Sequence, residues 1–337
     1  MKTHIVVFSD SCDPLWRWIE GRLPDHDIQF EFVRCAQSRF GLTLNLSRLA
    51  GAVRAALLAR RSGARAVVAH GPAIAAWYGL VARMLRIRIP LLAHTFNFIT
   101  LPSPARRRVL SFAYRLADIQ RYVAYSTMER ELYANALGIP RERFDVVLWG
   151  CDPPVIGTPG TPVESGDYVC AIGGNARDYR TLFKAARRLA HIRFVVVARP
   201  ENLRGLEIPA NVAVRTNIAF AVAMNVLSYS KFMVLPLAGT DVPCGHVTMV
   251  YAMHLGKAFA ITDSAGARDY ATQEINSLTV EHGSVDSLVA AVDRLWSDPK
   301  LCSRLGENGR RFAAAECTEE RIARHFGSWL DELHIEH

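Results

Sequence analysis

The feature that most constrains the fold of this chain is a repeated alternation of short apolar runs with segments of helical periodicity. Apolar runs in the first half predict strands at residues 4–8, 29–34, 66–69, 90–93, 121–124 and 144–148. Apolar positions recurring with the period of an α-helix predict helices at residues 16–22, 46–61, 73–85, 106–117 and 128–137. Such alternation is typical of a doubly wound sheet of parallel strands.

A stretch rich in proline, glycine and threonine, residues 151–166, interrupts the alternation and predicts a linker. A second series follows, with strands predicted at 168–172, 194–198, 212–216, 232–237, 258–262 and 277–280, and helices at 179–190, 222–230, 247–255, 285–297, 300–315 and 318–333. We therefore predict two Rossmann-like α/β domains, residues 1–152 and 153–317, with a C-terminal segment 318–337 whose helix crosses back to the first domain. Open parallel sheets bind ligands at the carboxyl ends of their strands, so we expect the ligand site in a cleft between the domains.

Composition narrows the functional classes. The seven cysteines are scattered, odd in number and never spaced as CxxC, which argues against a disulfide framework and a structural zinc site and favours a reducing cytoplasm. No metal site is predicted, because the closely spaced His334 and His337 lie in a tail that is expected to fray. The net charge of +8 is not interleaved with aromatic residues on a recognisable basic face, so no nucleic acid partner is expected. The charge fits either ordinary solvated arginines or attraction to an anionic nucleotide and an anionic membrane surface.

The first strand of each half is followed by a turn that lacks the dinucleotide-binding pattern GxGxxG. Ser9, Asp10 and Ser11 follow the first strand, and Gly173, Gly174 and Asn175 follow the strand at 168–172. This weighs against an NAD-dependent enzyme.

Residues 240–278 combine a loop containing Pro243, Cys244 and Gly245 with a following apolar helix and a second strand. Loops of this kind bind phosphate, because free backbone N–H groups and the helix dipole favour negative charge there. Together with LGIP at 137–140, GGN at 173–175, AMHLGK at 252–257 and INSL at 275–278, the segment resembles the nucleotide-sugar half of GT-B glycosyltransferases. The resemblance is strongest to the large bacterial group called glycosyl transferases group 1.

One position departs from that group. Its members usually carry two glutamates in an E-x7-E arrangement, the second of which binds the ribose of the nucleotide. Here Tyr251 stands at the second position and Pro243 near the first. A phenol contacts one hydroxyl but cannot make the two-oxygen contact of a carboxylate, so ribose recognition is altered or shared with Asp241.

The resemblance implies transfer of a hexosyl residue from a nucleotide-sugar donor, with UDP-sugar preferred, without a cofactor or metal and with retention favoured over inversion. Arg177 and Arg180 would then hold the diphosphate, with Arg177 counted among the catalytic residues because it faces the charge of the leaving group. The remaining donor-binding candidates supply backbone N–H groups or hydroxyls: Gly173, Gly174, Asn175, Gly245, His246, Val247 and Thr248. For Thr248, capping of the helix is an alternative role, and for Asn175 it is turn chemistry.

Candidates in the first domain follow predicted strands. His94 and Asp10 are proposed as catalytic residues, with Asp10 and Asp13 available as bases if the enzyme inverts the anomeric centre. Asp13, His70 and Asn97 are proposed to bind the acceptor. Each could instead be a turn or capping residue.

Residues 16–18 and 105–115 mix arginine with aromatic and aliphatic side chains, which favours either a membrane-facing surface or an ordinary amphipathic helix. The first option implies a lipid-linked acceptor, bacterial envelope or exopolysaccharide synthesis, and a cytoplasmic protein peripheral on the inner face of the membrane. Two alternatives remain open: a catalytically inactive GT-B-fold partner or regulatory protein, and a GT-B epimerase or phosphorylase without a separate acceptor.

Overall fold

The computed structural model describes residues 2–10, 17–23, 27–35, 41–98, 100–156, 161–241 and 244–335. The chain divides into two compact units: the first comprises Met1–Val147 and Glu319–His337, and the second comprises Leu148–Thr318. These divisions follow Val147 and Thr318, whereas the sequence predicts boundaries after residues 152 and 317.

The first unit is built on a parallel six-stranded sheet in the order β2-β1-β3-β4-β5-β6. Its strands are β1 (Thr3–Ser9), β2 (Ile28–Arg34), β3 (Ala66–His70), β4 (Leu91–His94), β5 (Arg121–Ala124) and β6 (Phe144–Val146). The central strands β3 and β4 are buried throughout, as apolar strands covered on both faces should be. The strand order reverses beside β1, where β2 lies on one side and β3 on the other, and open sheets bind ligands at such a reversal.

Four helices connect these strands: α1 (Gly41–Ser62), α2 (Pro72–Met84), α3 (Pro104–Leu116) and α4 (Thr127–Leu137). The α-helix predicted at 16–22 is wrong over its described part, because Arg17–Gly21 form a short 3₁₀ helix. Gly21, and Pro24 soon after it in the sequence, leave too few residues for a stable α-helical ladder. Trp16 lies outside the described residues, while Trp18 packs against the core of this unit.

The second unit repeats the plan with strands β7 (Val169–Ile172), β8 (Phe194–Ala198), β9 (Val212–Thr216), β10 (Phe232–Leu235), β11 (Phe259–Thr262) and β12 (Leu278–Val280). They form a parallel sheet in the order β12-β11-β10-β7-β8-β9. Its helices are α5 (Tyr179–Arg188), α6 (Phe220–Tyr229), α7 (His246–His254), α8 (Val285–Ser297) and α9 (Pro299–Glu316). The order reverses between β7 and β10, so the loops after these two strands flank the position where a ligand is expected.

Helix α10 (Glu319–Ile335) follows the second unit in sequence and packs into the core of the first. Its Phe326, Trp329 and Leu330 are almost fully buried in a cluster that includes Ile5 and Val68 from β1 and β3. Two Rossmann-like domains are thus confirmed as the fold. Within the described ranges, no helix is both long enough and apolar enough to cross a bilayer.

Candidate functional site

In the loop between β7 and α5, the backbone carbonyl oxygens accept hydrogen bonds, whereas several backbone amides have no acceptor among the described residues. Four successive carbonyl oxygens accept hydrogen bonds: Gly173 from Tyr179 Oη at 2.5 Å, Gly174 from Asn202 Nδ2 at 2.8 Å, Asn175 from Arg177 Nη1 at 2.7 Å and Ala176 from the Ala238 amide at 3.0 Å. By contrast, the N–H groups of Gly174, Asn175 and Ala176 donate to no acceptor among the described residues. The loop therefore presents unused amide hydrogens at the carboxyl end of β7, which is the chemistry of an anion site.

The guanidinium of Arg177 folds back over this loop. Its Nη2 donates to Thr248 Oγ1 at 3.3 Å, and its Nε lies 3.5 Å from the carbonyl oxygen of Ile172. Within the described part of the chain, no carboxylate pairs with it, and burial lowers the pKa of Arg177. A desolvated cation without a counter-ion favours the binding of an anion, since the ligand restores the missing charge pair.

Two further arginines lie near this loop. Arg180 is exposed on the first turn of α5, and its side chain forms no hydrogen bond or ion pair with any described residue. Arg199, which sequence reasoning missed, lies over Gly174, where an added β-carbon would come within 2.8 Å of its side chain. Its position in the sequence could have indicated its role. Arg199 directly follows β8, the strand beside β7, so it lies at the same edge of the sheet as the loop after β7.

The amino end of α7 supplies the other half of the expected phosphate site. Gly245 precedes the helix at φ 104°, a conformation that side chains rarely adopt, and Val247 is exposed on its first turn. The His246 side chain is occupied internally: its Nε2 donates to the carbonyl of Gly266 at 2.9 Å and its ring stacks on Tyr270. Asp241 is exposed, and Pro243 lies outside the described residues.

Tyr251, one turn after Thr248 on α7, belongs to an aromatic cluster. Its ring centroid lies 5.6 Å from that of Trp149 and 5.1 Å from that of Phe220, which is 54% exposed at the start of α6. This cluster takes the place of the glutamate expected from the resemblance. A partly exposed aromatic surface of this kind offers stacking rather than the paired acceptors of a carboxylate.

In the first unit, His70 and His94 are brought together at the carboxyl ends of β3 and β4. They are register partners, their ring centroids lie 5.1 Å apart, and both are almost fully buried. Burial lowers the pKa of His70 to about 3 and that of His94 well below its usual 6.5, so both imidazoles are neutral at pH 7. Thr95, another residue missed from sequence, lies within hydrogen-bond distance of both rings.

The other candidates of the first unit are held in local networks. The carboxylate of Asp10 accepts two hydrogen bonds from Arg48, from Nη2 at 2.6 Å and from Nε at 3.1 Å. The Asn97 amide donates to Glu129, a fully buried carboxylate that also accepts from the backbone of Tyr125. Asp13 lies outside the described residues. Among the described residues, no three His, Cys, Asp or Glu side chains group as metal ligands would.

Comparisons with known proteins agree with this geometry. The family described as glycosyl transferase 4-like domain matches residues 6–150, and the family described as glycosyl transferases group 1 matches residues 207–312. No curated protein matches the sequence.

Solved structures share the fold over essentially the whole chain. A sucrose-phosphate synthase from Thermosynechococcus elongatus superposes with a TM-score of 0.76 at 16% identity, covering 100% of both chains. Anabaena HepE in complex with UDP and glucose gives a TM-score of 0.71 at 15% identity, covering 97% of this chain and 99% of its own. A glycosyltransferase from Rickettsia africae gives 0.68 at 14% identity, covering 98% of each chain. Taken with the two family matches, the doubly wound sheets and the phosphate-type loop of the second unit, this fold identifies the chain as a member of the GT-B glycosyltransferases of group 1.

Proposed function

We propose that this protein transfers a hexosyl residue from a nucleotide-sugar, preferentially a UDP-sugar, to a glycan or lipid-linked acceptor. The observation that carries the proposal is the Arg177 guanidinium, held over a row of unused amides without a carboxylate partner among the described residues. Solved structures of HepE with UDP and with UDP-glucose support the choice of donor.

In this proposal the second unit stabilises the departing nucleoside diphosphate. The bond between the anomeric carbon and the phosphate oxygen breaks, and the electron pair leaves with the diphosphate. The acceptor hydroxyl forms the new bond to the anomeric carbon and passes its proton to the departing diphosphate oxygen. The negative charge that develops on the diphosphate would be stabilised by Arg177 and by the amides of Gly174, Asn175 and Ala176. Arg180 and Arg199 lie at the same edge of the sheet. We propose that this cationic and amide cradle acts in place of a metal ion.

We further propose retention of the anomeric configuration, on the resemblance to group 1 enzymes. NMR of the product would show an unchanged anomeric configuration relative to the donor. An inverted product would overturn this step and direct the search for a base to Asp10, Asp13 and His94. Because Arg48 holds the Asp10 carboxylate, Asp10 would first have to release that contact.

The nucleoside is proposed to lie against the aromatic cluster of Trp149, Phe220 and Tyr251. Phe220 is a large apolar side chain left more than half exposed, and a nucleobase can stack on such a ring. Tyr251 offers one hydroxyl to the ribose, where a carboxylate would accept from two. The site should therefore depend more on the base and the diphosphate than on the ribose diol.

For the acceptor side, we propose a peripheral contact with an anionic membrane through α3. Its outer face leaves Val109 67% and Phe112 63% exposed beside Arg108 and Arg115, while Tyr114 and Ala113 turn into the core. Apolar side chains flanked by arginines are typical of helices that lie in a membrane interface. A lipid-linked acceptor, a role in envelope or exopolysaccharide synthesis and a position on the inner face of the cytoplasmic membrane follow as parts of this proposal.

Flotation with vesicles containing phosphatidylglycerol tests the membrane contact. The wild type should float with these vesicles and not with neutral ones, and Phe112→Glu should abolish flotation. Ile208→Glu, at a comparably exposed apolar position in the second unit, serves as the control and should float normally. Equal flotation of the Phe112→Glu variant would remove α3 from the proposal.

Calorimetry with UDP, GDP, ADP and dTDP tests the activity class. Binding of at least one, strongest for UDP, is expected. Binding of none would favour a non-catalytic partner or regulatory protein that kept the fold. Binding followed by conversion of the donor without any acceptor would favour an epimerase or phosphorylase.

A further inference from the structure

Two carbonyl oxygens of the loop after β7 are held by side chains that lie outside the loop. The Gly173 carbonyl accepts from Tyr179 Oη at 2.5 Å, and the Gly174 carbonyl accepts from Asn202 Nδ2 at 2.8 Å. Both side chains must donate here, because a backbone carbonyl oxygen only accepts hydrogen bonds. The Asn202 side chain is fixed at its other end as well, since its Oδ1 accepts from the Arg199 amide at 3.2 Å.

The direction of each carbonyl sets the direction of the amide that follows it. A trans peptide group is planar, and its C=O and N–H bonds point in roughly opposite directions. The N–H of Gly174 therefore points away from the Tyr179 hydroxyl, and the N–H of Asn175 points away from the Asn202 amide group. Neither N–H donates to an acceptor among the described residues. The two side chains thus determine where two unused donors of the loop point.

Both side chains lie on the β8 side of β7. The Tyr179 hydroxyl is also 3.3 Å from the carbonyl oxygen of Val197 in β8, and Asn202 belongs to the short 3₁₀ helix Pro200–Leu203 that follows β8. On its other side, β7 pairs with β10. The two unused amides are consequently turned toward β10, where the strand order reverses and where an open sheet binds its ligand.

Neither side chain brings a charge to this loop. Tyr179 is 1% exposed, and burial raises the pKa of its phenol, so the hydroxyl keeps the hydrogen that it donates. The Asn202 amide group does not titrate. Removing either donor therefore changes the direction of a peptide group and leaves the charge of the site as it was.

We propose that Tyr179 and Asn202 are positioning residues that direct the amides of Gly174 and Asn175 toward the phosphate oxygens of the nucleotide. For the identity of this ligand, the inference rests on the proposed function. Both residues act through the peptide groups that they hold and not by contact with the ligand. Amides directed in advance need no reorganisation when negative charge develops, which is how such donors stabilise a leaving group.

Amide NMR of the ¹⁵N-labelled protein tests the two assignments separately. Saturation with UDP or with inorganic pyrophosphate should shift the N–H signals of Gly174 and Asn175 in the wild type. Tyr179→Phe keeps the ring without the hydroxyl and should reduce the shift at Gly174 more than the shift at Asn175. Asn202→Leu keeps the size of the side chain without its donor and should do the reverse. Each variant should bind UDP roughly two- to tenfold more weakly, as expected for the loss of one hydrogen bond.

Asn308→Leu is the matched control. The Asn308 side chain also donates to one backbone carbonyl, that of Ile275 at 2.8 Å, but this contact lies outside the loop. The control should therefore keep the wild-type amide shifts and the wild-type affinity for UDP. A purely structural role for Tyr179 and Asn202 predicts this same result for their variants.

Wild-type shifts at both amides in Tyr179→Phe and Asn202→Leu would overturn the proposal, and so would an equal loss at both amides in each variant. No response of either amide to UDP or pyrophosphate in the wild type would overturn it as well. A response to pyrophosphate without binding of UDP would contradict the proposed donor, and the variants titrated with pyrophosphate would still decide the positioning roles. Should Tyr179→Phe fail to fold, Asn202→Leu decides.

Discussion

The guanidinium of Arg177 occupies the space in which a β-carbon at position 173 would lie. A β-carbon added at Gly173 would come within 2.6 Å of Arg177 Nε and Nη2, and the backbone there has φ 138°. The glycine of this turn thus provides the space in which the cation rests. The backbone of this turn therefore helps to determine where the positive charge of Arg177 lies.

Gly173→Ala should therefore weaken nucleotide binding as well as stability. We expect a loss of about 1–3 kcal/mol in the free energy of unfolding from strain, and displacement of the guanidinium from the loop. Gly205→Ala is the matched control, because Gly205 also has positive φ, at 69°, but no atom lies near its missing β-carbon. Chemical denaturation and UDP calorimetry measure the two effects. Equal UDP affinity in both variants would argue against a role for Gly173 in positioning Arg177 for nucleotide binding.

Arg177→Ala should lower turnover more than it lowers donor affinity, because the diphosphate carries more negative charge in the transition state than in the bound donor. A loss of about 2–4 kcal/mol, or roughly 30- to 900-fold in kcat/KM, is expected. Arg177→Lys should recover part of it, since lysine keeps the charge but not the two-pronged contact. Arg187→Ala, which removes an exposed arginine of α5 that pairs with Glu207, should behave as wild type. Wild-type kinetics for Arg177→Ala would exclude this residue from the site.

Tyr251 stands where the resemblance predicts a glutamate. We therefore expect nucleotide binding to depend only weakly on the hydroxyls of the ribose. We expect 2′-deoxy-UDP to bind less than about tenfold more weakly than UDP, because one neutral hydrogen bond contributes only about 1 kcal/mol. Tyr251→Glu should increase the discrimination between the two ligands. Calorimetry with both ligands measures it. Failure of both ligands to bind would speak against the transferase itself, whereas binding of UDP alone would speak only against this account of Tyr251.

Acid should destabilise the protein through His70. Its pKa is about 3 in the folded protein and near 6.5 when unfolded, so between these values the unfolded chain binds a proton that the folded chain does not. Stability due to the neutral ring is complete above pH 6.5 and falls as the pH drops toward 3, by on the order of 1 kcal/mol per pH unit. Urea unfolding at pH 7, 6 and 5 should show a shallower decline in His70→Asn than in the wild type. His282→Asn, at an exposed histidine, should leave the decline unchanged.

Helices and strands could be predicted from the sequence because the spacing of the apolar residues and the types of residue in each segment indicate the same element. Strand β9 and helix α8 have the predicted bounds, since apolar alternation and clear helix signals define them. The strand predicted at 232–237 ends at Leu235 because Pro236 has no N–H to donate to the ladder. Local rules therefore account for most boundaries.

The candidate site could be predicted only in part, because some of its residues come together through the order of the strands in the sheet. Gly173 and Arg177 could be placed by the turn they form, within a few residues of each other. Thr95, Arg199 and Phe220 depend on which strands lie side by side, and no single-segment pattern encodes that order. The His246 side chain contacts Gly266 and Tyr270, so the prediction that its backbone N–H faces a ligand stays a prediction.

The contribution of α10 to the first core has a consequence for synthesis of the protein. Phe326, Trp329 and Leu330 are translated after the whole second unit, yet they cover strands that are translated before it, including β1 and β3. The amino-terminal sheet must therefore wait, with one apolar face incomplete, while the entire second unit is translated and free to fold. Domains usually mature in the order of translation. Here the first unit is completed only after the second has been translated, and a chain interrupted before Glu319 would carry a complete second unit and an incomplete first one.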